Sequence, residues 1–202
     1  GGEHGEDDGS EVDEPNPPFG VNRLMAVNAR LTIMPKRDDK DPLIFDIHSL
    51  DIGNLTIVQP STYQADLTNP IPFGRIQSSG SFGPWAKDEP GDTPVEGDYT
   101  FEADLGTIKG IAGALDAAGE LTGTVNRIAT TGTTRSADFS IPKLEATALP
   151  LSTSYQAIVD GTNGDVILER VEAQLADSHF VAKGSIVGTK GIKGKRVVLE
   201  VT

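Results

Sequence analysis

Apolar and polar residues alternate in short runs from about residue 21 onward, and Gly, Pro, Asn or Asp interrupts each run. A period of two puts every second side chain on one face of a strand, so the pattern predicts a succession of half-buried strands. In the first, Val27, Ala29, Leu31 and Ile33 share a face, and a charged loop follows from Pro35 to Pro42. Leu43, Phe45 and Ile47 then alternate with Ile44, Asp46 and His48. The phase slips at Ser49, so that Leu50 and Ile52 continue the apolar face, which calls for a bulge. Gly53-Asn54 reads as a turn. Further strands are expected at 63–67, at 75–82 and around Tyr99 and Phe101.

At residues 103–111 the period changes. Leu105, Ile108 and Ile111 recur at helical spacing behind Asp104 in the N-cap position, which predicts one short helix near 104–112. Short alternating runs then resume, with Leu115, Leu121, Val125 and Ile128 as their apolar positions. Tyr155, Ala157 and Val159 are in phase in a later strand, and residues 160–165 close a hairpin in which Asn163-Gly164 suits a type I′ turn. Val171, Ala173 and Leu175 mark one more strand, and Phe180, Ala182, Gly184 and Ile186 another. Gly80-Ser81-Phe82, Gly119 to Gly123 and Gly184-Ser185-Ile186 repeat one local idea, a Gly entering a strand. Such recurrence suits a sheet grown by adding similar strands along one axis.

Composition sharpens this picture. In 202 residues, 23 Gly and 13 Pro supply many turns, while 37% apolar and 5% aromatic content suits a thin core. Residues 1–18 are acidic and rich in Gly and Pro, which reads as a disordered linker or insertion. Residues 19–202 read as a single β-rich segment, and the strand-like ending suggests a fragment of a longer chain. The acids near Glu3 and His4 lack calcium-loop spacing. The formal net charge of −13 disfavours nucleic acid as a partner. Lys190, Lys193, Lys195 and Arg196 form a local basic cluster that offers a contact for anionic lipid headgroups. Without Cys there is no disulfide frame and no thiolate chemistry.

Catalytic patterns are missing. No Ser stands in a nucleophile elbow, and no Gly cluster continues into a phosphate-binding Lys-Ser or Lys-Thr. Acidic pairs such as Asp88 with Glu89 and Asp92 with Glu96 read as solvated surface. His48 and His179 read as a strand and a turn residue, and Trp85 as the seal of a corner. In 160–165 Thr162 stands where a calcium loop needs an acid, so the turn reading is preferred. No enzyme, metal or cofactor is expected. What remains is physical: a sheet with one apolar face, on a chain with too few helical residues to cover it, needs an occupant for that face.

Several stretches carry a resemblance to a family: GDYTF at 97–101, ADLGTIKGI at 103–111, GTVNRI at 123–128, ADFSI at 137–141 and YQAIVDGTNGD at 155–165. With ARLTI at 29–33, residues 41–55 and SFGPWAKDEPGDTP at 81–94, the chain resembles the AsmA-like bacterial envelope proteins over most of its length after about Gly20. It departs from the family pattern at 134–139, which lacks an acidic Asp-Thr-Pro before Asp-Phe. The resemblance implies an elongated, curled antiparallel sheet forming an open groove, in a periplasmic segment whose parent is anchored in the inner membrane. It also implies a role in lipid transport and outer-membrane biogenesis in Gram-negative bacteria. By that analogy Leu43, Phe45, Ile47, Leu50, Ile52, Phe101, Phe139, Ile141, Tyr155, Ala157 and Val159 would face the groove and meet phospholipid acyl chains. Leu105, Ile108 and Ile111 would brace its concave side. The alternative is a structural β-module of a large envelope or surface protein, with no ligand.

Overall fold

A computed structural model describes residues 20–35, 37–144, 147–192 and 195–202. The expected linker at 1–18 and the expected headgroup contact Lys193 lie outside the described residues. Eleven strands form one antiparallel sheet whose spatial order is the order along the chain. They are β1 (Gly20–Ile33), β2 (Leu43–Thr56), β3 (Ser61–Pro70), β4 (Phe73–Phe82), β5 (Pro94–Asp104) and β6 (Ala114–Thr124). β7 (Arg127–Phe139), β8 (Leu149–Val159), β9 (Val166–Leu175), β10 (Ser178–Gly188) and β11 (Lys195–Val201) complete it. The protein is mainly β, as the alternation dictates. Strands β1 and β11 are the two edges, and the sheet does not close into a barrel.

Local differences from the sequence reading have plain causes. The bulge stands where the phase slips, between Ile47 and Ser49 in the β2–β3 register. Gly53-Asn54 is not a turn: β2 runs through it to Thr56, and Asn54 takes up the local distortion with a φ of 52°. Val27 does not share the face of Ala29, because Asn28 at φ 51° turns β1 over between them and leaves Val27 61% exposed. The short helix shrinks to a 3₁₀ turn at Leu105–Thr107, capped by the Asp104 carboxylate accepting from the Gly106 N–H. It ends there because Ile108 is extended and Gly110 and Gly113 have φ values of 101° and 130°. The 160–165 hairpin forms, yet only Gly164 has positive φ, so it is a six-residue turn and not type I′.

The sheet is curled. Residues 39–41, leading into β2, meet the turns before β9 and β11: Lys190 N–H donates to the Asp39 carbonyl at 3.1 Å, and Gly191 N–H to Asp41 Oδ2 at 3.0 Å. In a flat sheet β2 and β9 would stand seven spacings apart, roughly 33 Å, with their starts at opposite ends. A right-handed twist of about 20–25° per strand sums over seven steps to roughly 140–175°, which turns the start of β9 to the same end as the start of β2, and the bending of the sheet and of the β1–β2 hairpin closes the distance between them.

Burial identifies the concave side. Ile47, Ile52, Ser61, Tyr63, Thr130, Ser136, Ala157, Ala173 and Ala182 are the buried strand side chains, and register places all of them on one face. Among the described residues no helix longer than one 3₁₀ turn and no second sheet covers that face. Its burial therefore comes from the sheet bending over itself. Glycines permit the bend. A Cβ on Gly97 or Gly119 would fall within 3.0 Å of a backbone carbonyl oxygen on the next strand.

Candidate ligand-binding face

Register sorts the chemistry by face. Across the eleven strands the concave face carries no Asp, Glu or Arg, and its one cation is Lys195 at the very start of β11. The charges project from the convex face, where Arg23 pairs with Asp51, Arg30 with Asp46, Arg75 with Asp66 and Lys183 with Glu200. Hydrogen bonding to Arg75 holds the Asp66 carboxyl below its ordinary range, and Arg23 does the same for Asp51. Exposed pairs of this kind contribute about 0–1 kcal/mol each. Their larger effect is to make the convex side hydrophilic and leave the concave side neutral.

Two apolar flanks border a hydroxyl-bearing middle. On one flank Leu43, Phe45, Ile47, Leu50 and Ile52 run along β2, and Phe101 lies on β5 in the row of Ile76, Leu67 and Ile47. On the other, Tyr155, Ala157 and Val159 run along β8 beside Val171, Leu168 and Val166 of β9. These expected residues all lie on the concave face, and most are half-buried rather than sealed. Phe139 pairs with Leu149 where the β7–β8 register shifts, and Ile141 lies beyond β7 in the connection to β8. Leu105 is buried, whereas Ile108 and Ile111 are half-buried in the loop after the 3₁₀ turn. The brace is therefore Leu105 and a loop, not three residues on one helix face.

The middle is a polar layer that the alternation of hydropathy does not reveal. Tyr99 reaches across Gly119 of β6 to share hydrogen bonds with Thr130 of β7, at 2.9 Å, and with the Tyr155 hydroxyl. Tyr63 lies likewise across Gly80 toward Gly97, its hydroxyl 2.8 Å from Ser78 Oγ. Thr134 and Thr153 share a bond of 2.8 Å. Burial pushes the Tyr63 phenol above its ordinary range, and burial together with the Tyr99 hydroxyl pushes Tyr155 further up. Thr130, Gly132, Thr134 and Ser136 do keep period two. Because they are polar or small, only the spacing, read without regard to hydropathy, exposes them.

Distant segments of the sheet are tied at one end by a cluster that the sequence does not announce. The Lys40 ammonium, on a residue only 6% exposed, lies 2.6 Å from Asp165 Oδ2 and donates to the Gly188 carbonyl at 2.6 Å. Asp165 Oδ1 accepts from the Gly188 N–H, and Asp160 accepts from Thr162 and Asn163 within its own turn. The acids of the 160–165 loop are thus occupied by a lysine and by the loop itself. Lys195 donates to the Gly164 carbonyl, and burial lowers its pKa. Lys190 donates to the Asp38 carbonyl at 2.8 Å, so two of the expected headgroup contacts, Lys190 and Lys195, are engaged with this chain, and Arg196 stands exposed on β11.

Two open hollows lie toward the convex side and the sheet end. One, about 800 Å³, is lined by His48, Arg75, Glu102, Asp104 and Asp138 among others, and one of about 470 Å³ by Glu120, Thr131, Gln156 and Arg170 among others. His48 there bonds Thr68 Oγ1 at 2.8 Å. Trp85 packs on Phe82 with ring centroids 6.0 Å apart, and its N–H (backbone) donates to the Thr56 carbonyl, which closes the β4–β5 corner. Among the described residues no group of three or more His, Cys, Asp or Glu is placed to hold a metal, and no helix is long and apolar enough to cross a membrane. Compared with protein-family models, with curated proteins and with solved structures, the chain has no match in any of the three.

Proposed function

We propose that this chain is a non-catalytic lipid-binding segment whose nearly charge-free concave face holds or conducts acyl chains. The single observation that carries the reading is the division of charge: a single-layer curled sheet, charged outside, with an inner face that is half-buried and carries no charge but Lys195 at one end of β11. A membrane-spanning barrel has the reverse arrangement, apolar outside and polar within. Burying a methylene is worth about 0.8 kcal/mol, so a chain of some fourteen methylenes offers roughly 11 kcal/mol before association costs of about 4–15 kcal/mol. Binding at this scale is reversible, which suits passage rather than storage. The AsmA-like resemblance supports the same reading, and on it the segment would lie in the periplasm, on a parent anchored in the inner membrane, and serve envelope lipid transport.

A structural β-module is the second reading, favoured by the β11 edge. Val197, Val198, Leu199 and Val201 are exposed there on both faces of an edge strand, whose free edge offers another β-segment a place to pair. Photo-crosslinking separates the two. Phospholipid carrying a diazirine on its acyl chain, presented in vesicles, is expected to label residues of β2, β5 and β8 that face the concavity. Phe45→Asp should abolish that labelling while the circular dichroism spectrum stays that of a β-sheet. Labelling confined to the β11 edge, or none, would overturn the lipid reading in favour of the module.

A further inference from the structure

The first hairpin is built differently from the others. β3 pairs with β2 only from Asp46 to Ile52, so the distal part of the β1–β2 hairpin, residues 31–35 and 37–45 among those described, leaves the body of the sheet. Its far end rests instead on the turns before β9 and β11, through Lys40, Asp39 and Asp41. Leu43 joins them: its Cδ1 lies 3.3 Å from where a Cβ on Gly164 would stand. The hairpin therefore bridges strands that are seven and more apart in the sheet.

Both strands of this hairpin are deformed at the same level. Asn28 has a φ of 51° in β1, and the register shift in β2 falls between Ile47 and Ser49, opposite it. A bulge breaks the ladder and bends the strand, so the two deformations turn the hairpin away from the sheet just before β3 lets go of it, with Asp46 and Ile47 still paired to Thr68 and Leu67. The other end is held by charge rather than by a packed apolar plug. Desolvation offsets much of the attraction within a buried ion pair, and the charges of Lys40 and Asp165 regain water when they part.

We propose that the two arms of the hairpin beyond β3, residues 31–35 and 37–45, are a strap across the mouth of the concavity, bent out of the sheet near Asn28 and His48 and clasped by Lys40 on Asp165 and Gly188, whose release admits an acyl chain. Leu31, Ile33, Leu43 and Phe45 are the strap's inward face. The admission of a lipid rests on the proposed function; the opening of the strap does not.

The absence of Cys lets two be introduced for spin labels, at Met34 and Ile192, both well exposed and in the two segments the clasp joins. In the Met34→Cys, Ile192→Cys protein, pulsed dipolar spectroscopy should give one short, narrow distance distribution. Adding Lys40→Met should lengthen and broaden it. The isosteric Asp165→Asn, which keeps an acceptor for the Gly188 N–H, should do so less and serves if Lys40→Met fails to fold. With a diazirine-acyl phospholipid in vesicles, Lys40→Met should speed labelling of the concave face roughly tenfold, and a bis-maleimide bridge between the two cysteines should slow it similarly. Unchanged distances in both clasp variants, with the fold intact, would overturn the strap. Longer distances without any labelling would support the strap and count against the lipid reading alone.

Discussion

Gly119→Ala is the sharpest test of the curvature that creates the concave face. The added methyl would stand 2.8 Å from Gly132 Cα, 2.8 Å from the Tyr99 hydroxyl and within 3.0 Å of the Thr131 carbonyl oxygen. Two of the three are backbone atoms of β7, the strand it pairs with, and cannot swing aside as the tip of a long side chain would. Inserting a methyl into such a site costs typically about 1–3 kcal/mol. Gly→Ala at a compatible site returns about 0.4–1 kcal/mol through the unfolded chain, and here that return is lost in strain. The expected loss is roughly 2 kcal/mol, which for a chain of this length lowers Tm by about 4–8 °C. Gly188→Ala is the matched control, since the nearest atom to its methyl is Asp165 Oδ1 at 3.8 Å, ordinary contact. Urea unfolding of both variants measures the difference. Equal stability for Gly119→Ala and wild type would mean that β6 and β7 do not approach so closely, and the tight bend under Tyr99 would have to be abandoned.

Other consequences follow from the same geometry. Tyr155→Phe removes a hydroxyl that bonds Tyr99 and should cost about 0.5–1.5 kcal/mol in chemical denaturation. Because the folded pKa of Tyr155 is raised, its contribution is complete below the unfolded value of about 10 and is lost as pH rises past it, which absorbance titration against Tyr155→Phe would show. Asp66 behaves in the opposite sense. Its depressed pKa makes its contribution present above the usual carboxylate range and lost as pH falls through the folded value, and Asp66→Asn should flatten that acid slope. Lys40→Met leaves Asp165 facing a lost partner and should destabilise by about 3–5 kcal/mol, measured by calorimetry, with the double variant Lys40→Met, Asp165→Asn recovering part of it. Calcium should leave Tm unchanged, because Asp160 and Asp165 are already satisfied within the described chain.

Much of the strand order was legible because hydropathy alternates wherever one face of a strand meets water and the other does not. β5 is the cleanest case, with Val95, Tyr99 and Phe101 turned inward and Glu96, Asp98 and Glu102 outward. The bulge after Ile47 was legible for the same reason, since a phase slip has only one common structural remedy. That the candidates on β2 share one face, and those on β8 likewise, followed from phase, whereas their turning toward a groove came from the family resemblance. Legibility failed where backbone conformation outweighed pattern. Asn28 and Asn54 took positive φ within strands, so one turned Val27 outward and the other let β2 run through an apparent turn. Helical spacing at Leu105, Ile108 and Ile111 was a coincidence of three apolar residues in a loop that Gly106, Gly110 and Gly113 keep from winding further. The hydroxyl layer escaped because Thr130, Thr134 and Ser136 carry no hydropathy signal. Lys40 escaped because its partners lie well over a hundred residues away, and no local spacing records a contact that only the curl of the sheet brings about.

The most direct measurement is mass spectrometry of the protein purified gently from cells and again after incubation with phospholipid vesicles. An occupied concavity would appear as a stoichiometric lipid adduct that persists in wild type, diminishes in Phe45→Asp and Ile47→Asp, and is unaffected by charge reversal at Glu120 on the convex face. Protein that stays free of lipid under both conditions, while its sheet is intact, would contradict the account.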